Sequence, residues 1–143
     1  DPALGQRRGS RAWFRRVGVV YQNPNCQLFM PTVAQEVAFA AKSEDFAREI
    51  MELFGIVHLA ERHPHSLSEG QKRRVSIAAV AASQPELLLL DEPTSNLDSL
   101  NEAVILKSLE EERNGKTVVL VSHRESTMQI ADVVYSVERG RMS

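Results

Sequence analysis

Leu87-Leu88-Leu89-Leu90-Asp91-Glu92-Pro93-Thr94 decides how this chain is read. Four consecutive leucines, bounded by Pro85 upstream and by two carboxylates and a proline downstream, are too short a run for a buried helix. An apolar run without alternation fits a strand of a parallel sheet covered on both faces. Val118 to Ser122 is a second such run and leads into His123, and Val17 to Tyr21 is a third and leads into Gln22. In open parallel sheets, ligands bind beyond the carboxyl ends of the strands. If these three strands are parallel, an amide, two carboxylates and an imidazole share one rim. That set suits phosphoryl transfer to water, with one carboxylate for a metal, a second as base, and neutral donors for phosphate oxygens. Each member alone has a plainer reading, since Asp91 to Thr94 is good turn chemistry and a lone histidine at a strand end is commonly structural. Their joint placement makes the case.

Outward from this core the pattern is helical. Thr32 with Gln35 has capping-box spacing ahead of Val33, Val37 and Phe39. Phe46, Ile50, Leu53 and Phe54 share one face of a second helix that stops near Gly55. Ser68 with Gln71 opens a third, with an apolar stripe at Val75, Ala78, Ala79 and Ala82 and an end before Pro85. Glu102 to Arg113 is the crossover between the last two strands, and Val133 to Val137 is expected as a final strand turned by Gly140. The reading is α/β, with a helical insertion after the first strand.

Lys72, Arg73 and Arg74 follow Ser68 at the positive end of a helix dipole, where cations are unfavourable by about 0.3–1 kcal/mol each at exposed sites. Either a phosphate sits there, met by the Ser68 hydroxyl and the Gly70 amide, or these charges pair with neighbours such as Glu69 and face solvent.

Composition sets the outer bounds. The 143 residues suffice for one domain, with 43% hydrophobic and 25% charged residues as in ordinary soluble proteins. A net charge of -2 supplies no bulk attraction to nucleic acid or anionic lipid. Cys26 is the single cysteine, which excludes an internal disulfide and fits a reducing cytosol; a half-buried small side chain is expected there. No apolar run is long enough to span a bilayer, and no signal peptide is expected from the polar, basic start. Asp1 to Arg16 places Arg7, Arg8, Arg11, Arg15 and Arg16 around Trp13 and Phe14. That is either a single-strand nucleic-acid platform or a solvated flank.

Taken together, these segments resemble the ATP-binding domain of ABC transporters. Leu67-Ser68-Glu69-Gly70-Gln71 resembles the signature motif, Leu87 to Thr94 the Walker B strand, Ser95-Asn96-Leu97-Asp98 the D-loop, His123 the switch histidine and Gln22 the Q-loop glutamine. A narrower resemblance is to ATPase subunits of energy-coupling-factor and cobalt-type importers, carried by Val20 to Pro24, Gln27-Leu28-Phe29, Thr32-Val33, Val37-Ala38-Phe39 and Gly70 to Val75. It implies a partial P-loop NTPase-like parallel sheet flanked by helices, with a helical signature-motif insertion. The parts of this single incomplete domain (1–143) would be a Q-loop strand (17–22), a helical subdomain (28–85) and the Walker B, D-loop and switch part (86–143).

The resemblance also implies roles. ATP and Mg²⁺ would be bound, with Asp91 and Gln22 at the metal, Glu92 as general base and His123 on the γ-phosphate. Ser68, Gly70 and Gln71 would contact the nucleotide held by a second ATPase subunit, and Asp98 would cross that interface. The segment from Leu28 to Phe39 would help receive a membrane subunit's coupling helix, unless its apolar residues are plain core. The location would be cytoplasmic, peripheral on the inner face of the membrane, with no nucleic acid as partner.

Two departures from the family pattern stand out. Glu69 replaces a usual glycine, and it would repel phosphate unless it faces away. No Gly-x-x-x-x-Gly-Lys-Ser/Thr occurs; Gly115-Lys116-Thr117 has Glu110 at the first glycine position and leads into a strand rather than a helix. The chain alone is therefore expected to hydrolyse ATP negligibly, its sheet to carry a gap or an unpaired edge, and the chain to self-associate. The leading expectation is an ATPase subunit of an ABC transporter, an importer for a vitamin or metal ion, truncated before the Q-loop. The alternatives are a non-catalytic half-site module completing a partner, and a soluble ABC ATPase of translation or DNA repair.

Overall fold

The computed structural model describes residues 16–143; the basic stretch up to Arg15, with Trp13 and Phe14, lies outside the described residues. Three parallel strands, β1 (Val17–Val20), β2 (Leu87–Asp91) and β3 (Thr117–Val121), form a sheet in the order β1-β2-β3. Val20 pairs with Leu90 and Asp91 with Val121, so the three strand ends lie level. Between β1 and β2 come α1 (Val33–Ala38), α2 (Glu44–Leu53) and α3 (Glu69–Ala82). The crossover α4 (Ser99–Glu112) joins β2 to β3. A short α5 (Glu125–Gln129) and a two-stranded hairpin, β4 (Val137–Glu138) with β5 (Arg141–Met142), follow.

The expected strands and helices form, with three corrections. Leu88 and Leu90 are fully buried, joining Ile77, Ile105 and Leu109 in the core, but Leu87 and Leu89 on the other face are only half-buried. Val119 and Val121, level with Leu89 and Asp91, are exposed. Among the described residues, therefore, helices cover one face of the sheet rather than both. The outer edge of β3 carries no strand partner among the described residues. Val133 to Val137 does not extend this sheet: Val133, Val134 and Tyr135 are exposed, and only its end, Ser136 and Val137, pairs, within the hairpin. An apolar run becomes a strand only where an edge is offered to it. Cys26, expected to be half-buried, is exposed on a turn.

Local chemistry explains the helix starts. Ser68 forms a full capping box, its hydroxyl accepting from Gln71 N at 3.3 Å while Gln71 Oε1 accepts from Ser68 N at 3.1 Å. At Thr32 the box is half made, because the hydroxyl accepts from Gln35 N but the Gln35 side chain turns to that hydroxyl instead of the backbone. Ser43 caps α2, and Gly55 at φ +64° turns the chain out of it.

Helix α3 organises the fold. It packs on α1, α2, α4 and β1, so its buried face takes in Ser76, Ile77 and Ala81, while Ala79 of the expected stripe is only half-buried. Alanines let neighbours approach it on several sides. Gly18 in β1 does the same from the sheet, since a Cβ there would lie 2.6 Å from Val80 Cγ1 and 3.0 Å from Pro85 Cγ.

Gly18→Ala is expected to lower stability by about 1–3 kcal/mol, the range for overpacking, and adding Val80→Ala should recover part of the loss. Urea midpoints of the two variants test this; a Gly18→Ala midpoint equal to the parent's would show that β1 does not approach α3 so closely.

Candidate functional site

The level, parallel strand ends gather the expected residues at one rim. Gln22 follows β1 and is exposed, Asp91 is the exposed last residue of β2, and His123 follows β3 after Ser122. Glu92, next after Asp91, is mostly buried, and its backbone sits at φ +46°. A side chain other than glycine in this left-handed region costs on the order of 1–3 kcal/mol and needs its surroundings to hold it.

Those surroundings are specific. Glu92 N donates to Val121 O at 2.8 Å, and Glu92 O accepts from Ser95 N at 3.2 Å and from Arg73 Nη1 at 2.6 Å. Glu92 Oε1 lies 2.9 Å from His123 Nδ1, whereas Oε2 is buried with no hydrogen-bond partner among the described residues. One carboxylate oxygen is thus oriented by the imidazole, and the other is left as an unengaged acceptor. The His123 side chain is 77% exposed.

The Gln22 loop is fixed from behind. Gln27 Nε2 donates to Val19 O at 2.8 Å, and its Oε1 accepts from Tyr21 N at 3.1 Å and from Ser76 Oγ at 3.0 Å. Gln27 thus extends the end of β1 with a side-chain amide and ties it to α3. An open cleft of about 400 Å³ lies alongside, lined by Gln22, Asn23, Pro24, Asn25, Glu69 and Arg73.

Of the cations after Ser68, Lys72 pairs with Glu69 at 3.4 Å as one of the two sequence readings has it, whereas Arg73 and Arg74 turn to backbone carbonyls. Arg73 reaches the Glu92 carbonyl, and Arg74 donates to Gly55 O at 3.2 Å. Burial pushes the Arg73 and Arg74 guanidinium groups below their usual values, opposed by Glu69 and Glu92 for Arg73 and by Asp98 for Arg74. Ser68 and Glu69 are exposed at the helix start, while Gly70 is buried against α4. A Cβ at Gly70 would lie 2.6 Å from Asn101 Cγ. Asp98 caps α4 through Asn101 N at 2.9 Å, and this bond and the Asn101 side chain hold its carboxyl below the usual carboxylate range.

Two further features escaped the sequence reading. Glu102 accepts from Arg124 at 2.8 Å and from the Ser126 hydroxyl, tying the segment after His123 to α4. Buried Glu36 accepts from Phe29 N and Met30 N at 3.0 and 2.7 Å. That loop sends Leu28 into the core but leaves Phe29 exposed edge-on to exposed Phe39, with ring centroids 5.5 Å apart.

For Mg²⁺ the donors fit a sparse site. No group of three or more His, Cys, Asp or Glu side chains gathers among the described residues. An exposed carboxylate at Asp91 beside the Gln22 loop suits an ion that keeps several waters and takes substrate phosphates as ligands.

Comparison with known proteins agrees with this arrangement. The ABC transporter family profile matches residues 3–95. An energy-coupling factor transporter ATP-binding protein (EcfA) of Methanoculleus marisnigri is 39% identical over 88% of this chain and 50% of its own length. The structure of cbiO1 from Clostridium perfringens, part of the ABC transporter complex cbiONQ, superposes with a TM-score of 0.82 at 34% identity, over 96% of this chain and 59% of that one. The dimeric post-hydrolysis state of the ATP-binding cassette MJ0796, bound to ADP and Pi, gives a TM-score of 0.74 at 27% identity, over 90% of this chain and 62% of that one. The chain spans about half the length of the curated relatives it matches. The sheet, the order of motifs and these likenesses together place the chain in the ABC transporter ATP-binding family, with energy-coupling-factor ATP-binding proteins among its relatives.

Proposed function

We propose that this chain is part of an ATP-hydrolysing subunit of an ABC importer for a vitamin or metal ion. The observation that carries the reading is Glu92, with one oxygen held by His123 and the other buried and unengaged at the rim of a parallel sheet. In this reading Glu92 Oε2 takes the proton from the attacking water. His123, exposed beside it, contacts the γ-phosphate. Asp91 and Gln22 would hold Mg²⁺, which when bound would supply charge neutralisation at the phosphates.

Ser68 and Gln71 meet the nucleotide of a second ATPase subunit, with Gly70 buried behind them against Asn101, and Asp98 lies at that junction. The dimeric relative bound to ADP and Pi supports such pairing. The exposed Phe29–Phe39 pair supports a docking surface for a membrane subunit within the helical segment 28–85. No helix among the described residues is long and apolar enough to cross a membrane, in keeping with attachment at its cytoplasmic face through that subunit.

The 143 residues hold no phosphate loop. By themselves they lack the main support for the β- and γ-phosphates. That supports a second reading, a half-site module that lends the signature turn, Ser68 and Gln71 with Gly70 behind them, to a complete partner.

In the full-length protein, Glu92→Gln is expected to reduce ATP turnover about 10²–10⁴-fold, the range for loss of a general base, with nucleotide binding kept. Turnover near the parent's would contradict Glu92 as the base. Calorimetric titration of the 143-residue chain with ATP and Mg²⁺ should give no detectable binding. Binding abolished by Asp91→Asn would mean that a phosphate site exists here without the loop.

A further inference from the structure

We propose that Arg73 is a positioning residue for hydrolysis: by gripping the main-chain carbonyl of Glu92 it holds that residue in its left-handed conformation and so aims the carboxylate. The proposal rests on the reading of Glu92 as the base.

Glu92 is held from three elements. Strand β3 takes its amide through Val121 O, His123 takes one carboxylate oxygen, and Arg73 in α3 takes its carbonyl at 2.6 Å from nineteen residues away in sequence. Of the three, only Arg73 acts on the peptide plane that leaves Glu92 toward Pro93. The φ of +46° at Glu92 is a conformation that its surroundings have to hold. Ser95 N donates to the same carbonyl at 3.2 Å, so the turn that carries the chain on to Asp98 closes on the oxygen Arg73 grips.

The guanidinium is committed to this task. Arg73 Nε is buried and without a hydrogen-bond partner among the described residues, unlike a surface arginine with its head in water. Desolvation lowers its hold on the proton, opposed by Glu69 and Glu92. Glu69 and Gln22 line the same cleft as Arg73. One side chain therefore borders the signature turn and the Gln22 loop while bonding to the backbone of Glu92. A displacement of the first turn of α3 would be carried to the carboxylate through one hydrogen bond.

A fold staple without catalytic consequence is the competing account. Two readouts on the full-length protein separate them, using Arg73→Gln and the conservative Arg73→Lys. The first is steady-state ATP turnover. Arg73→Gln should lower kcat about ten- to a hundredfold, as expected for a misplaced reacting group, with KM for MgATP within about twofold. Arg73→Lys, which keeps a charged donor, should recover most of that loss.

The second readout is amide hydrogen exchange without nucleotide. In Arg73→Gln, Glu92 and Ser95 should exchange roughly tenfold faster, while Leu88 to Leu90 and Ile77 to Ala81 keep the parent's rates. Faster exchange at all these sites alike, or unchanged exchange at Glu92 and Ser95, overturns the proposal. Selective acceleration at Glu92 and Ser95 with parental kcat also overturns it, and traces the failure to its premise, Glu92 as the base, rather than to the anchor.

Discussion

A parallel ladder sends all its strand ends the same way, and here the pairing of Val20 with Leu90 and of Asp91 with Val121 puts three of them at one level. Everything chemical in the described residues follows from that register. Gln22, Asp91, Glu92 and His123 come from distant parts of the sequence, and no local contact would bring them together. A one-residue slip of β2 would turn Leu88 and Leu90 out of the core and move the carboxylates with them. The core that fixes the register and the rim that carries the chemistry are thus selected by the same burial.

The register alone leaves the rim loose, and α3 supplies the bracing. Ser76 reaches Gln27 behind the Gln22 loop, Arg73 reaches Glu92, Arg74 reaches the end of α2, and Gly70 admits Asn101 beside the cap of α4. A helix rich in alanine can be approached closely from many sides, and this one meets three other helices and β1. The motif residues at its start are therefore mechanically connected to the rim through the helix body. The local bonds of Ser68 and Gln71 are spent on starting that helix, while the Ser68 side remains open to solvent.

Much of this was legible in the sequence because the signals were strong and local. The leucine run of β2 and the cap at Ser68 gave their elements closely, and Gly55 marked the end of α2. The parallel sheet could be expected from three apolar runs that each end in a polar group. What could not be read depended on partners remote in sequence. The carbonyl targets of Arg73 and Arg74 carry no sequence signal, so three consecutive cations looked like a phosphate site or a solvated face. The Val133 run had the composition of a strand, yet composition does not state whether an edge awaits it. Burial of both sheet faces was inferred from apolar runs, whereas Val119 and Val121 show one face open among the described residues. The Glu36 anchor was invisible for the same reason as the arginine anchors, because its partners are backbone groups, here the amides of Phe29 and Met30 that donate to it.

The central claim is that nucleotide phosphates meet this chain at the common rim of β1, β2 and β3. Amide hydrogen exchange of the full-length protein, with and without Mg²⁺ and a non-hydrolysable ATP analogue, tests it most directly. The account predicts added protection around Gln22, across Glu92 to Ser95 and at Ser122 and His123, with the hairpin of β4 and β5 unchanged. Binding of the analogue with protection confined to other segments, and none at Glu92 or His123, would contradict it.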